Sequence, residues 1–98
     1  MTVKDLKRLI DNKDDILIVD IREPYECENG FISNFNIPLA EIMNRIGEIP
    51  KEKTVILYCN SGKRSQSLKY MIEKLHAYVN LDHLEGGYQK WEEQSALL

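Results

Sequence analysis

The sequence predicts an α/β fold, a single domain over residues 1–98 with a central parallel sheet of about five short strands and helices on both faces. Three observations carry this expectation. Apolar runs of strand length alternate with segments of helical periodicity, the pattern of parallel strands joined by helices. The two strongest runs, Ile16–Val19 and Thr54–Tyr58, are nearly continuous in apolar residues, as strands covered on both faces are. A chain of 98 residues, 43% hydrophobic and 30% charged, suffices for one modest core without metal or disulfide support.

Taken in order, Val3, Leu6, Leu9 and Ile10 share one face of a first helix behind Thr2, a residue type suited to the N-cap. Ile16–Val19 forms the first strand and ends in Asp20. Pro24 suits the first turn of a short helix ending at Gly30. A weaker strand is expected around Phe35–Ile37. Leu39, Ile42, Met43 and Ile46 then repeat a helical spacing after Pro38 and stop at Gly47. Thr54–Tyr58 is the most apolar strand and runs into Cys59. Leu68, Met71, Ile72 and Leu75 mark a helix starting just after Ser65. A second weak strand is expected over Val79–Leu84, before Gly86-Gly87 breaks the chain ahead of a last short helix through Trp91.

Charge and composition exclude several functions. Thirteen Lys and Arg against sixteen Asp and Glu give a net charge of −3, which argues against nucleic acid as a partner. The two cysteines, Cys27 and Cys59, form no Cys-x-x-Cys pair, and His76 and His83 are not spaced with them in a zinc pattern. The N-terminus lacks the apolar core of a signal peptide, and no apolar run approaches the roughly 18 residues that span a bilayer. The expected compartment is therefore the cytoplasm, where an unpaired thiol stays reduced.

In a parallel sheet, ligands gather at the carboxyl ends of the strands. Three segments lie there: Asp20-Ile21-Arg22, Cys59 through Arg64, and Glu85-Gly86-Gly87. The second is the most informative. Gly62 permits a turn that points successive amides inward as an anion-binding nest. The free amides of the helix that follows add partial positive charge. Lys63 and Arg64 add two full charges, and Ser61 and Ser65 offer hydroxyls. A thiol facing that cradle loses its proton more easily, because the thiolate is the stabilised form. A cysteine at the end of a buried strand is commonly no more than a small hydrophobe. The loop around Cys59 favours a nucleophile instead.

With these residues together, the chain resembles a single-domain rhodanese, a member of a sulfurtransferase family. Asp20-Ile21-Arg22-Glu23-Pro24 is similar to the family's Asp-x-Arg-Glu-Pro segment. Gly30-Phe31-Ile32 through Asn36-Ile37-Pro38 resembles its Gly-His-Ile…Asn-Ile-Pro stretch. Cys59-Asn60-Ser61-Gly62-Lys63-Arg64-Ser65 resembles the active loop, Cys-x-x-Gly-x-Arg-Ser. Leu84-Glu85-Gly86-Gly87 with Trp91 resembles the closing Leu-x-Gly-Gly…Trp element. The resemblance implies that Cys59 takes a sulfane sulfur from a donor such as thiosulfate, holds it as a persulfide and passes it to cyanide, a thiol or a protein. It implies a substrate-binding loop of Asn60, Ser61, Gly62, Lys63, Arg64 and Ser65, with no metal or organic cofactor. The amides of residues 60–64 would stabilise the persulfide, while Lys63 and Arg64 would draw in the small anionic donor and lower the thiol pKa. A sulfur-donor or sulfur-acceptor protein is a further expected partner; no membrane is. Two positions depart from the pattern: Phe31 replaces a common histidine, and Asn60 replaces an arginine found in many members.

Two other classes stay open at this level. A cysteine phosphatase or arsenate reductase of the same fold would use a similar loop, but such phosphatases place five residues between Cys and Arg, and four lie between Cys59 and Arg64. A non-catalytic sulfur-relay binding module would usually lack the cysteine. Asp20 and Arg22 are supporting residues, more simply a turn and an ion pair; alternatively Asp20 orients Arg64 or the loop amides. Glu26 and Glu28 beside Cys27 would raise its thiol pKa and make it a poor nucleophile. His76 reads as a helix C-terminal cap, His83 as a packed or rim residue, and Tyr88 and Trp91 as packing.

Overall fold

The computed structural model describes residues 1–98. Its central strand decides the architecture. β2 (Thr54–Tyr58) lies between β1 (Ile16–Asp20) and β3 (Leu81–His83) and runs parallel to both. Side chains alternate along a strand, so Val55, Leu57 and the following Cys59 face one side while Ile56 and Tyr58 face the other. The first face is covered by Ile42 at the end of α3 (Leu39–Ile42) and by Leu68 and Ile72 of α4 (Lys63–His76). Val3 and Leu6 of α1 (Val3–Asp11) cover the second, with Tyr88 and Trp91 of α5 (Gly87–Gln94) packed alongside. The chain is thus an α/β domain with a parallel sheet and helices on both faces. No helix is long and apolar enough to cross a membrane.

The sheet has three strands rather than about five. The segment expected as a strand at Phe35–Ile37 narrows to a single bridge between Asp20 and Asn36. There the Asn36 side-chain amide donates to the carbonyls of Asp20 at 2.7 Å and Arg22 at 3.0 Å, and Pro38 ends the donors two residues on. Only Leu81–His83 of the expected Val79–Leu84 strand pairs; Val79 is outside the sheet and exposed.

Helix boundaries differ in three places. The segment expected to be one helix through Ile46 is α-helical only over Leu39–Ile42 and continues as a 3-10 turn over Met43–Glu48, with Arg45 out of helical geometry at φ −116°, ψ 22°. Four residues are too few to sustain an α-helix alone. Tertiary contacts then decide, with the Tyr78 hydroxyl donating to the Ile46 and Ile49 carbonyls. The Pro24 helix, α2, stops at Cys27 instead of Gly30. α4 starts at Lys63, not after Ser65, because Gly62 takes the left-handed turn at φ +95°. That shift brings the first amides of α4 into the Cys59 loop. α1 forms as expected, with a reciprocal cap between Thr2 and Asp5.

Candidate active site

Cys59 follows the central strand directly and is completely buried. Burial by itself pushes the thiol pKa up, since a thiolate loses hydration. That effect is outweighed by the Ser65 amide and hydroxyl and by the amides of Gly62 and Arg64, which hold the thiol below its ordinary value. The Gly62 amide donates to Sγ at 3.1 Å, and the Ser65 Oγ lies 3.6 Å from it. Ser65 is itself fixed, its hydroxyl donating to the Gly62 carbonyl at 3.1 Å. The polar groups that act on Sγ thus include those of residues 62, 64 and 65.

A second layer holds the loop in this form. The amides of Tyr88 and Gln89, in the first turn of α5, donate to the carbonyls of Cys59 at 2.9 Å and Asn60 at 3.0 Å. Those two carbonyls are thereby held toward α5. Gly87 makes the approach possible. It sits at φ +60°, and a Cβ there would lie 2.5 Å from both carbonyl oxygens. The spacing of Gly86-Gly87 after a strand marked a chain break in the sequence; that it braces a loop 28 residues earlier was not legible without the fold.

Lys63 and Arg64 flank the loop, and it is the Arg64 amide that is among the leading groups lowering the thiol. Lys63 is exposed, and the Arg64 guanidinium reaches the Glu26 carboxylate at 3.7 Å. Both line a groove on the outer side of α4, while Ser61, Gly62 and Lys63 also line a polar recess with His83 and Glu85. Asn60 lies in a further recess beside Arg22, Tyr25 and Tyr88. His83 is thus a rim residue, and burial pushes its imidazole below the usual value.

Asp20 and Arg22 form a buried pair away from Sγ, with Arg22 Nη2 2.6 Å from Asp20 Oδ2. The Tyr58 hydroxyl donates to the same carboxylate at 2.6 Å and accepts from the Ile32 and Ser33 amides. Arg22 also donates to the Gly30 carbonyl and stacks over Tyr88, 4.4 Å from the ring centre. Asp20 makes no bond to Arg64 or to the loop amides, so the ion-pair reading of this pair holds. Cys27 donates to Asp20 at 3.3 Å, and burial together with that carboxylate pushes its thiol up to about 11. Tyr58 is the residue that sequence reasoning missed, since an aromatic inside an apolar strand reads as core.

Comparison with known proteins agrees with this arrangement. Residues 2–94 match the Rhodanese-like domain family. A sulfurtransferase from Allochromatium vinosum is 39% identical over 87 residues, covering 87% of this chain and 78% of the relative. The thiosulfate sulfurtransferase GlpE of Coxiella burnetii is 30% identical over 82 residues, covering 82% of this chain and 75% of the relative. Against some longer curated relatives the chain spans as little as 24% of their length. The crystal structure of a rhodanese-related protein from Thermoplasma volcanium superposes with a TM-score of 0.82 at 29% identity, covering 96% of this chain and 90% of that one.

Proposed function

The chain belongs to the rhodanese-like family, whose homologues support sulfur transfer, and from that premise we propose that Cys59 carries the sulfur as a persulfide. The Cys59 thiolate attacks the sulfane sulfur of an anionic donor such as thiosulfate. A new S–S bond forms at Sγ, the donor's S–S bond breaks, and sulfite leaves with that electron pair. The acceptor, a thiol, a protein thiol or cyanide in an assay, then attacks the outer sulfur and returns the electron pair to Sγ. The two half-reactions give ping-pong kinetics.

The observation carrying this reading is the set of donors around one buried sulfur. The Gly62, Arg64 and Ser65 amides and the Ser65 hydroxyl overcome the burial that would otherwise keep the thiol protonated. The same donors suit the charge on a persulfide's outer sulfur. Lys63 and Arg64, at the loop's outer edge, serve to attract the donor rather than to ionise the thiol. The phosphatase alternative is disfavoured by the loop length, since four residues rather than five separate Cys59 from Arg64.

The direct test is intact mass. The reduced protein should gain one sulfur atom on exposure to thiosulfate and lose it to cyanide, releasing thiocyanate. Cys59→Ser should show no gain while Cys27→Ser behaves as the parent. Transfer surviving in Cys59→Ser would overturn the assignment.

A further inference from the structure

The loop after β2 offers an anion two cations, and their surroundings differ. Lys63 is exposed and takes part in no ion pair, whereas Arg64 Nη2 meets the Glu26 carboxylate Oε2 at 3.7 Å. That carboxylate is held from its other side. Its Oε1 accepts from the Glu23 amide at 3.0 Å, the reciprocal cap of α2, and the Glu26 carbonyl accepts from Arg22 Nη1 at 3.4 Å. Arg22 is itself fixed in the buried pair with Asp20. Glu26 is thus an anchored anion, its side chain 21% exposed, and the longer Arg64 side chain, 41% exposed, is the partner free to move.

Cys59 is completely buried, so an incoming donor reaches Sγ only by shifting some contact of the loop. The backbone contacts are short, with the Tyr88 and Gln89 amides 2.9 and 3.0 Å from the loop carbonyls. The Arg64–Glu26 contact is instead the longest ion pair in the molecule, and it lies partly in water. Such a pair is worth little, so an oxyanion that takes both hydrogen bonds of a guanidinium fork replaces the carboxylate. Arg64 and Lys63 line one groove together, so a released guanidinium leaves two cations along it for one anion.

We propose that Glu26 is an internal competitor for the sulfur donor: its carboxylate occupies Arg64, and an anionic donor has to displace it on the way to Cys59. The inference rests on the proposed attraction of the donor by Lys63 and Arg64. Glu26 acts through Arg64 and touches no reacting atom, so it is a positioning residue. It raises the donor concentration at which the loop fills, and it lowers the preference of Cys59 for anionic over neutral reagents.

Glu26→Gln tests this without dismantling α2, because glutamine keeps the oxygen that accepts from the Glu23 amide and removes only the charge. Two measurements follow Cys59 by the mass of its peptide. In single-turnover sulfur uptake, the thiosulfate concentration giving half the limiting rate should fall about two- to fivefold, the worth of an exposed ion pair, with the limiting rate unchanged. In alkylation, which requires no sulfur transfer, the ratio of the iodoacetate rate to the iodoacetamide rate should rise by a similar factor. Glu28→Gln removes the same charge from an exposed side chain in no ion pair, and should leave both measurements as in the parent. With Arg64→Gln already in place, Glu26→Gln should lose most of its effect. A role in α2 alone would slow both reagents together and leave their ratio where it was. An alkylation ratio unmoved by Glu26→Gln, moved as far by Glu28→Gln, or moved undiminished in the Arg64→Gln background would refute the competitor role. If the ratio shifts as expected while the parent takes no sulfur from thiosulfate, the competitor role stands and the sulfur-transfer reading falls.

Discussion

At the scale of single residues, two identical thiols are driven in opposite directions. Burial, and then the hydrogen bond that Cys27 donates to the Asp20 carboxylate, favour its neutral form and lift it to about 11. Cys59 accepts from the Gly62 amide and lies 3.6 Å from the Ser65 hydroxyl, and although burial opposes the thiolate, these groups favour it. Ser65 contributes twice at Cys59, through backbone and side chain, and only the side chain can be removed by substitution. Ser65→Ala should therefore raise the thiol pKa and move the pH profile of single-turnover persulfide formation upward by about one unit, the worth of one charge-assisted hydrogen bond. An unmoved profile would show that the hydroxyl does not act on the thiolate. The direction of both shifts was legible in the sequence, because Gly62 and Ser65 follow Cys59 and acidic residues flank Cys27. The causes were legible in part. The amides of the Cys59 loop and of the helix after it were expected to act on the thiol, with Lys63 and Arg64 beside them, and the Gly62, Arg64 and Ser65 amides do lower it. At Cys27 Glu26 contributes as its position suggested, and the fold adds burial and Asp20, seven residues before it.

At the scale of elements, the reactive loop is shaped by α5 as much as by the strand before it. The hydrogen bonds from Tyr88 and Gln89 to the Cys59 and Asn60 carbonyls depend on a glycine that lets two backbones touch. Gly87→Ala introduces a Cβ 2.5 Å from those oxygens at a left-handed position, so the first turn of α5 must retreat. We expect stability to fall by about 1–2 kcal/mol from the backbone conformation alone. The rate of sulfur uptake should fall more than tenfold in protein that remains folded, read by denaturant titration and mass together. Sequence periodicity found α1, α4 and both long strands because each is long enough for local pattern to dominate. It overextended the Leu39–Ile46 helix and the Phe35–Ile37 strand because packing and side-chain bonds decide such short segments.

At the scale of the molecule, one three-stranded sheet separates two cores, and Asp20 sits where both meet the loop layer. Its carboxylate loses hydration by burial, yet the bonds from Arg22, Tyr58 and Cys27 hold its pKa below the usual value. The native state therefore binds this proton less readily than the unfolded chain. The resulting stability is fully present above pH of about 4 and is lost as pH falls through the lower, folded-state value. Denaturant titrations at neutral pH and near pH 3 should show that loss in the parent. Asp20→Asn should remove much of the slope and cost about 3–5 kcal/mol at neutral pH, because Arg22 is left buried without its partner. A slope unchanged by the substitution would place the acid sensitivity elsewhere.

The brace across the Cys59 loop also orders events in time. Cys59 leaves the ribosome well before Gly87, Tyr88 and Gln89, whose backbone sets the direction of its carbonyl. A nascent chain that has made the central strand but not the last helix carries a loop without that brace. The final arrangement of the loop is thus reached only once the last helix is in place.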